Sequence, residues 1–129
     1  MRFIAALVVS VVGALAHGQT CANYKSEVVV EGVITEKATY IDPSDFAWAP
    51  ANGFQSYPVL VTRTPVCFSD DGQYAGPVHV LQIFGTALPN SSVLASGVRV
   101  TVRGKIFPAE TAHHFERLML DASAVTIER

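Results

Sequence analysis

His113 and His114 are the residues whose type and spacing come closest to chemistry in this chain. They lie in the segment Pro108 to Glu116, PAETAHHFE, with Glu110 and Glu116 close by. Neutral imidazoles beside carboxylates form a donor set that zinc or copper accepts. Neighbours on an extended chain point to opposite faces, so both rings reach one ion only if the turn is tight. The spacing is not H-E-x-x-H, which puts two rings on one face of a helix. Metal ligation and general acid or base work are therefore weighed against imidazole hydrogen bonds that hold the turn, with the Thr111 hydroxyl bracing it; the turn-holding role is the expected one. Asp70 and Asp71 are adjacent carboxylates, but Gly72 follows, so they read as a turn. No G-x-S-x-G, S-x-x-K or G-x-x-x-x-G-K-[ST] pattern occurs. With no nucleophile, no demonstrable metal set and no cofactor motif, the expectation is a protein that is not an enzyme and holds no cofactor.

The two cysteines that could do chemistry, Cys21 and Cys67, are expected to be spent on structure. They are an even pair in a chain that looks exported, so they are expected to form a disulfide closing a loop of about 47 residues, for which chain entropy gives roughly 4 kcal/mol. There is no C-x-x-C and no metal-binding spacing around either. Export is read from the start of the chain. Met1 and Arg2 precede FIAALVVSVVGALA, Phe3 to Ala16, which carries no charge and is shorter than the about 20 residues a membrane span needs. Small residues at Ala14, Ala16 and Gly18 permit cleavage before His17 or Gln19, the latter preferred. Residues 1–18 are thus expected to be a signal peptide and 19–129 a single domain, without stable membrane insertion after cleavage. The large polar Gln19 argues against lipid attachment at Cys21.

The elements that must position these residues read as strands. Apolar residues make up 50% of the chain, too many for a disordered tail. Their period is two, and no window of twelve or more residues keeps a helical stripe. The clearest strand is Val98 to Phe107: Val98, Val100 and Val102 alternate with Arg99, Thr101 and Arg103, and Gly104 then interrupts the pattern as a bend or bulge. Other strands are expected over Glu27 to Tyr40, Tyr57 to Thr64, Val78 to Phe84 and Arg117 to Ile127. Ala87 to Ser96 is expected to be a short helix or turn ending at Gly97. An all-β chain with three strands, a short helix and two strands has the order of an OB-like five-stranded Greek-key barrel; a small sandwich or meander is the alternative. In that order the first-to-second strand connection, Ile41 to Ser56, and the fourth-to-fifth, Pro108 to Glu116, flank the face that OB-folds use for ligands. The first carries Phe46, Trp48 and Phe54 among Pro43, Pro50 and Gly53. Those rings are expected to plug one end of the core or to form a functional loop.

TPVCF at Thr64 to Phe68, VRVTVRGKIF at Val98 to Phe107 and ETAHHFERLML at Glu110 to Leu120 together resemble a bacterial family of small exported domains, domain of unknown function 4431. The family pattern is an early cysteine, a P-[IV]-C segment, a V-T-V-x-G-x-[LI]-F strand and a T-x-H-H turn before a final apolar strand. The matching positions are Cys21, Pro65 to Cys67, Val100 to Phe107 and Thr111 to His114. Family members often carry a further histidine or polar residue after the pair, whereas this chain has Phe115, which disfavours any role needing three histidines. The resemblance implies a bacterial envelope protein and supports the disulfide. It brings no known activity.

Charge narrows the partners. Nine Lys and Arg stand against eleven Asp and Glu; removal of Arg2 with the leader leaves eight against eleven, a net charge of −3. Nucleic acid is therefore not an expected partner, although Arg99, Arg103 and Lys105 line the wet side of one strand. That stripe is expected to solubilise, to discourage edge aggregation, or to steer an acidic protein surface. Asn90-Ser91-Ser92 is a glycosylation sequon, relevant only in a eukaryotic host. The function expected is an exported binding module, periplasmic or extracellular, holding a protein or cell-envelope component through Phe46, Trp48, Phe54, Thr111, His113 and His114; inhibition of an envelope-acting protein fits its size and compartment. The alternatives are a metal-binding accessory protein with His113 and His114 as ligands, and a structural envelope domain.

Overall fold

The computed structural model describes residues 21–88 and 97–128. The expected leader over 1–18, most of the expected short helix at Ala87 to Ser96 and the sequon at Asn90 lie outside the described residues. The described chain is all-β: β1 (Glu27–Tyr40), β2 (Phe54–Asp70), β3 (Gln73–Phe84), β4 (Arg99–Pro108) and β5 (Leu118–Ile127). They pair in the order β1-β2-β3-β5-β4, and β4 pairs back onto β1, so the sheet closes into a barrel. Among these five strands the parallel pair is β3 with β5, which runs from Gln82↔Met119 to Phe84↔Asp121. Among the described residues no helix is long and apolar enough to cross a membrane.

The alternation seen in the sequence becomes the inside and outside of the wall. Val100, Val102 and Ile106 of β4 are buried in the core, while Arg99, Arg103 and Lys105 face water. On β1 the buried positions are Val30, Gly32 and Ile34. This strand serves two neighbours in succession, pairing β4 through Val33 and β2 from Gly32 onward. The bend expected at Gly104 is present: the β4–β5 register slips between Arg103 and Gly104, and the additional residue, Ser123, belongs to β5.

Two strands are longer than the sequence pattern suggests. β2 begins at Phe54 and continues to Asp70, not Tyr57 to Thr64, and β3 begins at Gln73, not Val78. Pro65 and Pro77 read as strand breakers, but both sit where the β2–β3 ladder is already irregular, between Val61/Val66 and Val66/Phe68, so no regular ladder donor is lost. The expected turn at Asp70 to Gly72 closes this hairpin. Asp71 (φ 49°) and Gly72 (φ 81°) are the two loop residues between the Asp70↔Gln73 pair, the backbone a tight two-residue hairpin demands.

Cys21 and Cys67 form the expected disulfide across a sequence separation of 46. The chain just beyond Cys21 adds a parallel bridge, Ala22↔Phe68, made by Ala22 N–H donating to the Cys67 carbonyl (2.9 Å) and Ser69 N–H donating to the Ala22 carbonyl (2.8 Å).

The cationic stripe is matched by carboxylates in the neighbouring strands. Glu27 lies opposite Lys105 and 3.6 Å from the Arg103 guanidinium, and Asp121 lies opposite Lys105 on the other side. These exposed pairs contribute little stability but cancel the local field, which weakens the stripe as a steering surface.

Candidate functional site

A break in the period of two marks the site. Leu81, Gln82 and Ile83 are buried in succession on β3, as are Leu118, Met119 and Leu120 on β5. Leu81, Ile83, Leu118 and Leu120 belong to the interior cluster, so Gln82 and Met119 face outward and are buried from the other side. Val59, opposite Gln82 on β2, and Tyr57 are also buried without joining that cluster. The β4–β5 loop covers this outer strip, folding over the wall as well as flanking it.

Gln82 is the clasp. Its Nε2 donates to the His113 carbonyl (3.0 Å), and its Oε1 accepts from Phe115 N–H (2.6 Å) and Glu116 N–H (3.3 Å). One buried amide thereby satisfies three backbone groups of the loop. Replacing it with Leu leaves all three without a partner, at roughly 1–3 kcal/mol for each buried polar group left unsatisfied. We expect Gln82→Leu to lose about 3 kcal/mol in urea unfolding, with amide exchange accelerated at Phe115 and Glu116; unchanged exchange there would exclude the clasp role.

Beyond the clasp the loop is held by the groups expected to hold it. His114 Nδ1 accepts from the backbone N–H of Glu110 (2.9 Å) and Thr111 (3.3 Å), and the Thr111 hydroxyl accepts from His113 N–H (3.2 Å). An Nδ1 that accepts two amides carries no proton, so in this arrangement the proton of the neutral ring is on Nε2. Metal ligation finds little support in this geometry. Among the described residues no three of His, Cys, Asp and Glu stand together as a metal set, and Glu116 is committed elsewhere. Its Oε2 accepts from Lys37 Nζ and from the Tyr57 hydroxyl, each at 2.7 Å. Burial, and then the Glu116 carboxylate, push the Tyr57 phenol above its ordinary 10.0.

The β1–β2 loop reaches the same place. It is a chain of turns tied at its neck by Ile41 N–H donating to the Gly53 carbonyl (2.6 Å), with Asp42 capping Ser44 through its carboxylate. Those Ser44 bonds hold the Asp42 carboxyl below its ordinary value. Trp48 lies on His113 with ring centroids 4.0 Å apart; Phe46 packs on Trp48 at 5.3 Å, and Phe115 joins Trp48 (6.4 Å) to Tyr57 (5.0 Å). An open depression of about 220 Å³ adjoins this group, lined by Gln82, Phe84, His113, His114 and Met119. Phe107 packs against both Phe84 and His114, two of these lining residues.

The expectation that the loop aromatics plug the core is corrected. Phe46 is 41% exposed and Phe54 58%, and neither they nor Trp48 belong to the interior cluster, which is built from strand residues and Ala22. Phe54 also leaves the Trp48 group. It is the first residue of β2, paired with Tyr40 and edge-on to its ring at 5.5 Å, because the strand begins three residues earlier than its pattern suggests. The sequence reading missed Lys37, Tyr57 and Gln82. Gln82 had a signal, a lone amide in the apolar run VLQIF; Lys37 and Tyr57 had none, since their pairing appears only once β1 and β2 are in register.

Fold and site define a small disulfide-clamped β-barrel whose two loops meet in a partly exposed group of aromatic rings. Residues 88–126, the segment that holds β4, the His-His loop and most of β5, match the family model of domain of unknown function DUF4431. No curated protein and no solved structure matches it.

Proposed function

We propose that this chain is an exported, non-catalytic binding module, an OB-type barrel that holds a cell-envelope component through its two loops. The observation that carries this reading is the contact of Trp48 with His113, which joins the first-to-second and fourth-to-fifth strand loops into one surface beside an open depression. The strand order with its parallel closing pair supports the OB assignment, in which those two loops frame the ligand face. The uncharged run after Arg2 and the disulfide support export to an oxidising compartment, the bacterial periplasm or the exterior. A binding role fits the contacts present: the His114 ring is engaged in the turn and the Glu116 carboxylate in the Lys37 ion pair.

Trp48→Ala is the test. Immobilised protein is expected to retain an envelope component from a fractionated extract, and the variant to lose at least about tenfold in retention, the scale of one interfacial aromatic anchor. Its circular dichroism and melting temperature should stay close to those of the parent, because Trp48 lies outside the core. Equal retention by parent and variant would remove the loops as the binding surface.

A further inference from the structure

We propose that the component held at this site is an uncharged glycan, with a pyranose ring seated in the depression lined by His113 and Phe84, beside Trp48. The assignment rests on the binding-module reading and names its ligand class. The depression beside His113 is lined by an amide, two imidazoles, a phenyl ring and a thioether, with no carboxylate, ammonium or guanidinium among them. Lys37 and Glu116, the charged groups under the adjoining aromatic cluster, neutralise each other at 2.7 Å. An anionic ligand therefore finds no formal countercharge in the lining, and a cationic one finds no free carboxylate there.

The lining is also wrong for a purely apolar guest. A greasy side chain is best held in an enclosed apolar pocket, whereas this depression is open and lined in part by two histidines and a glutamine. A sugar ring needs both kinds of surface: its C–H face packs on the electron-rich face of an aromatic ring, and its hydroxyls need fixed hydrogen-bond groups at the edge. His113 and Phe84 supply rings in the lining itself, with Trp48 packed on His113 and Phe107 on Phe84. His114 supplies the directed donor. With Nδ1 accepting two backbone amides, its Nε2 carries the proton, and the ring lines the depression.

Trp48 is the chain's single tryptophan, so its emission reports on this site alone. The oxidised protein is titrated with chitotriose and cellotriose as neutral probes and trigalacturonate as the anionic control. Saturable change with a neutral trisaccharide is expected, with trigalacturonate at least about tenfold weaker, and with His113→Ala and Phe84→Ala each costing about tenfold in Kd at an unchanged melting temperature. No saturable response to either neutral probe, in emission or in the loop amide signals by NMR, overturns the glycan assignment, as does tighter binding of trigalacturonate. If the saccharides fail while Trp48→Ala still abolishes retention of an envelope protein, the loop surface stands and its ligand is a protein. If both fail, both readings fall together.

Discussion

Replacing Cys21 and Cys67 together by Ser will lower the unfolding free energy by about 4 kcal/mol, the loop-closure entropy of a bridge spanning 46 residues, out of a total of roughly 5–15 kcal/mol for a domain of this size. The bridge does local work as well. It holds the segment that lays Ala22 beside Phe68 and places the Tyr24 ring edge-on to Phe68 at 4.8 Å, with the Tyr24 hydroxyl donating to Gln73 Oε1 at 2.8 Å. Phe68 is fully buried, so fraying of this segment opens the core from one side. Urea unfolding of the double variant measures the loss, and amide exchange at Ala22 and Ser69 should accelerate first. A loss below about 1 kcal/mol would mean that the two backbone bonds and the tyrosine hold the segment without help from sulfur.

A comparable loss is expected where the barrel bends. A Cβ added at Gly32 meets the carbonyl oxygen of Val61, and one added at Gly104 meets that of Asp121, both well inside van der Waals contact. Each obstacle is backbone in a neighbouring strand and cannot swing aside like a side chain. At Gly32 β1 passes from β4 to β2; at Gly104 the β4–β5 ladder slips past Ser123. Gly32→Ala and Gly104→Ala are each expected to cost about 3 kcal/mol through forced separation of paired strands. Gly72→Ala, whose Cβ has open space, serves as a control: it bears only the strain of its positive φ, about 1 kcal/mol. Equal melting temperatures for the three variants would show that the strands separate at little cost and that close approach is not what shapes the wall.

How much of this was legible in the sequence differs from element to element. β1 was readable to the residue and β4 and β5 to within one, and in β4 the alternation of Val100 and Val102 with Arg99, Thr101 and Arg103 records directly which face is buried. β2 and β3 were under-read at Pro65 and Pro77, since whether a proline breaks a strand depends on whether its partner strand offers a carbonyl there. The brace formed by Thr111 and His114 was legible because it is local: its donors and acceptors lie within four residues of one another. The partners of Gln82 and Tyr57 were not, because they lie more than thirty and more than fifty residues away in the chain.

By itself the sequence determined the strand class, the bend at Gly104, the hairpin turn at Asp71 and Gly72, the sulfur pair and the two loops worth attention. All of these are encoded by periodicity, backbone preference or residue count, which act over short stretches or require no register. Only the tertiary structure decided that Trp48 meets His113, that Phe54 stands apart from them, and that Gln82 anchors the loop from the outer wall. Those facts follow from closure: pairing β1 with β4 and β3 with β5 sets which distant residues become neighbours, and no local pattern along the chain carries that distance.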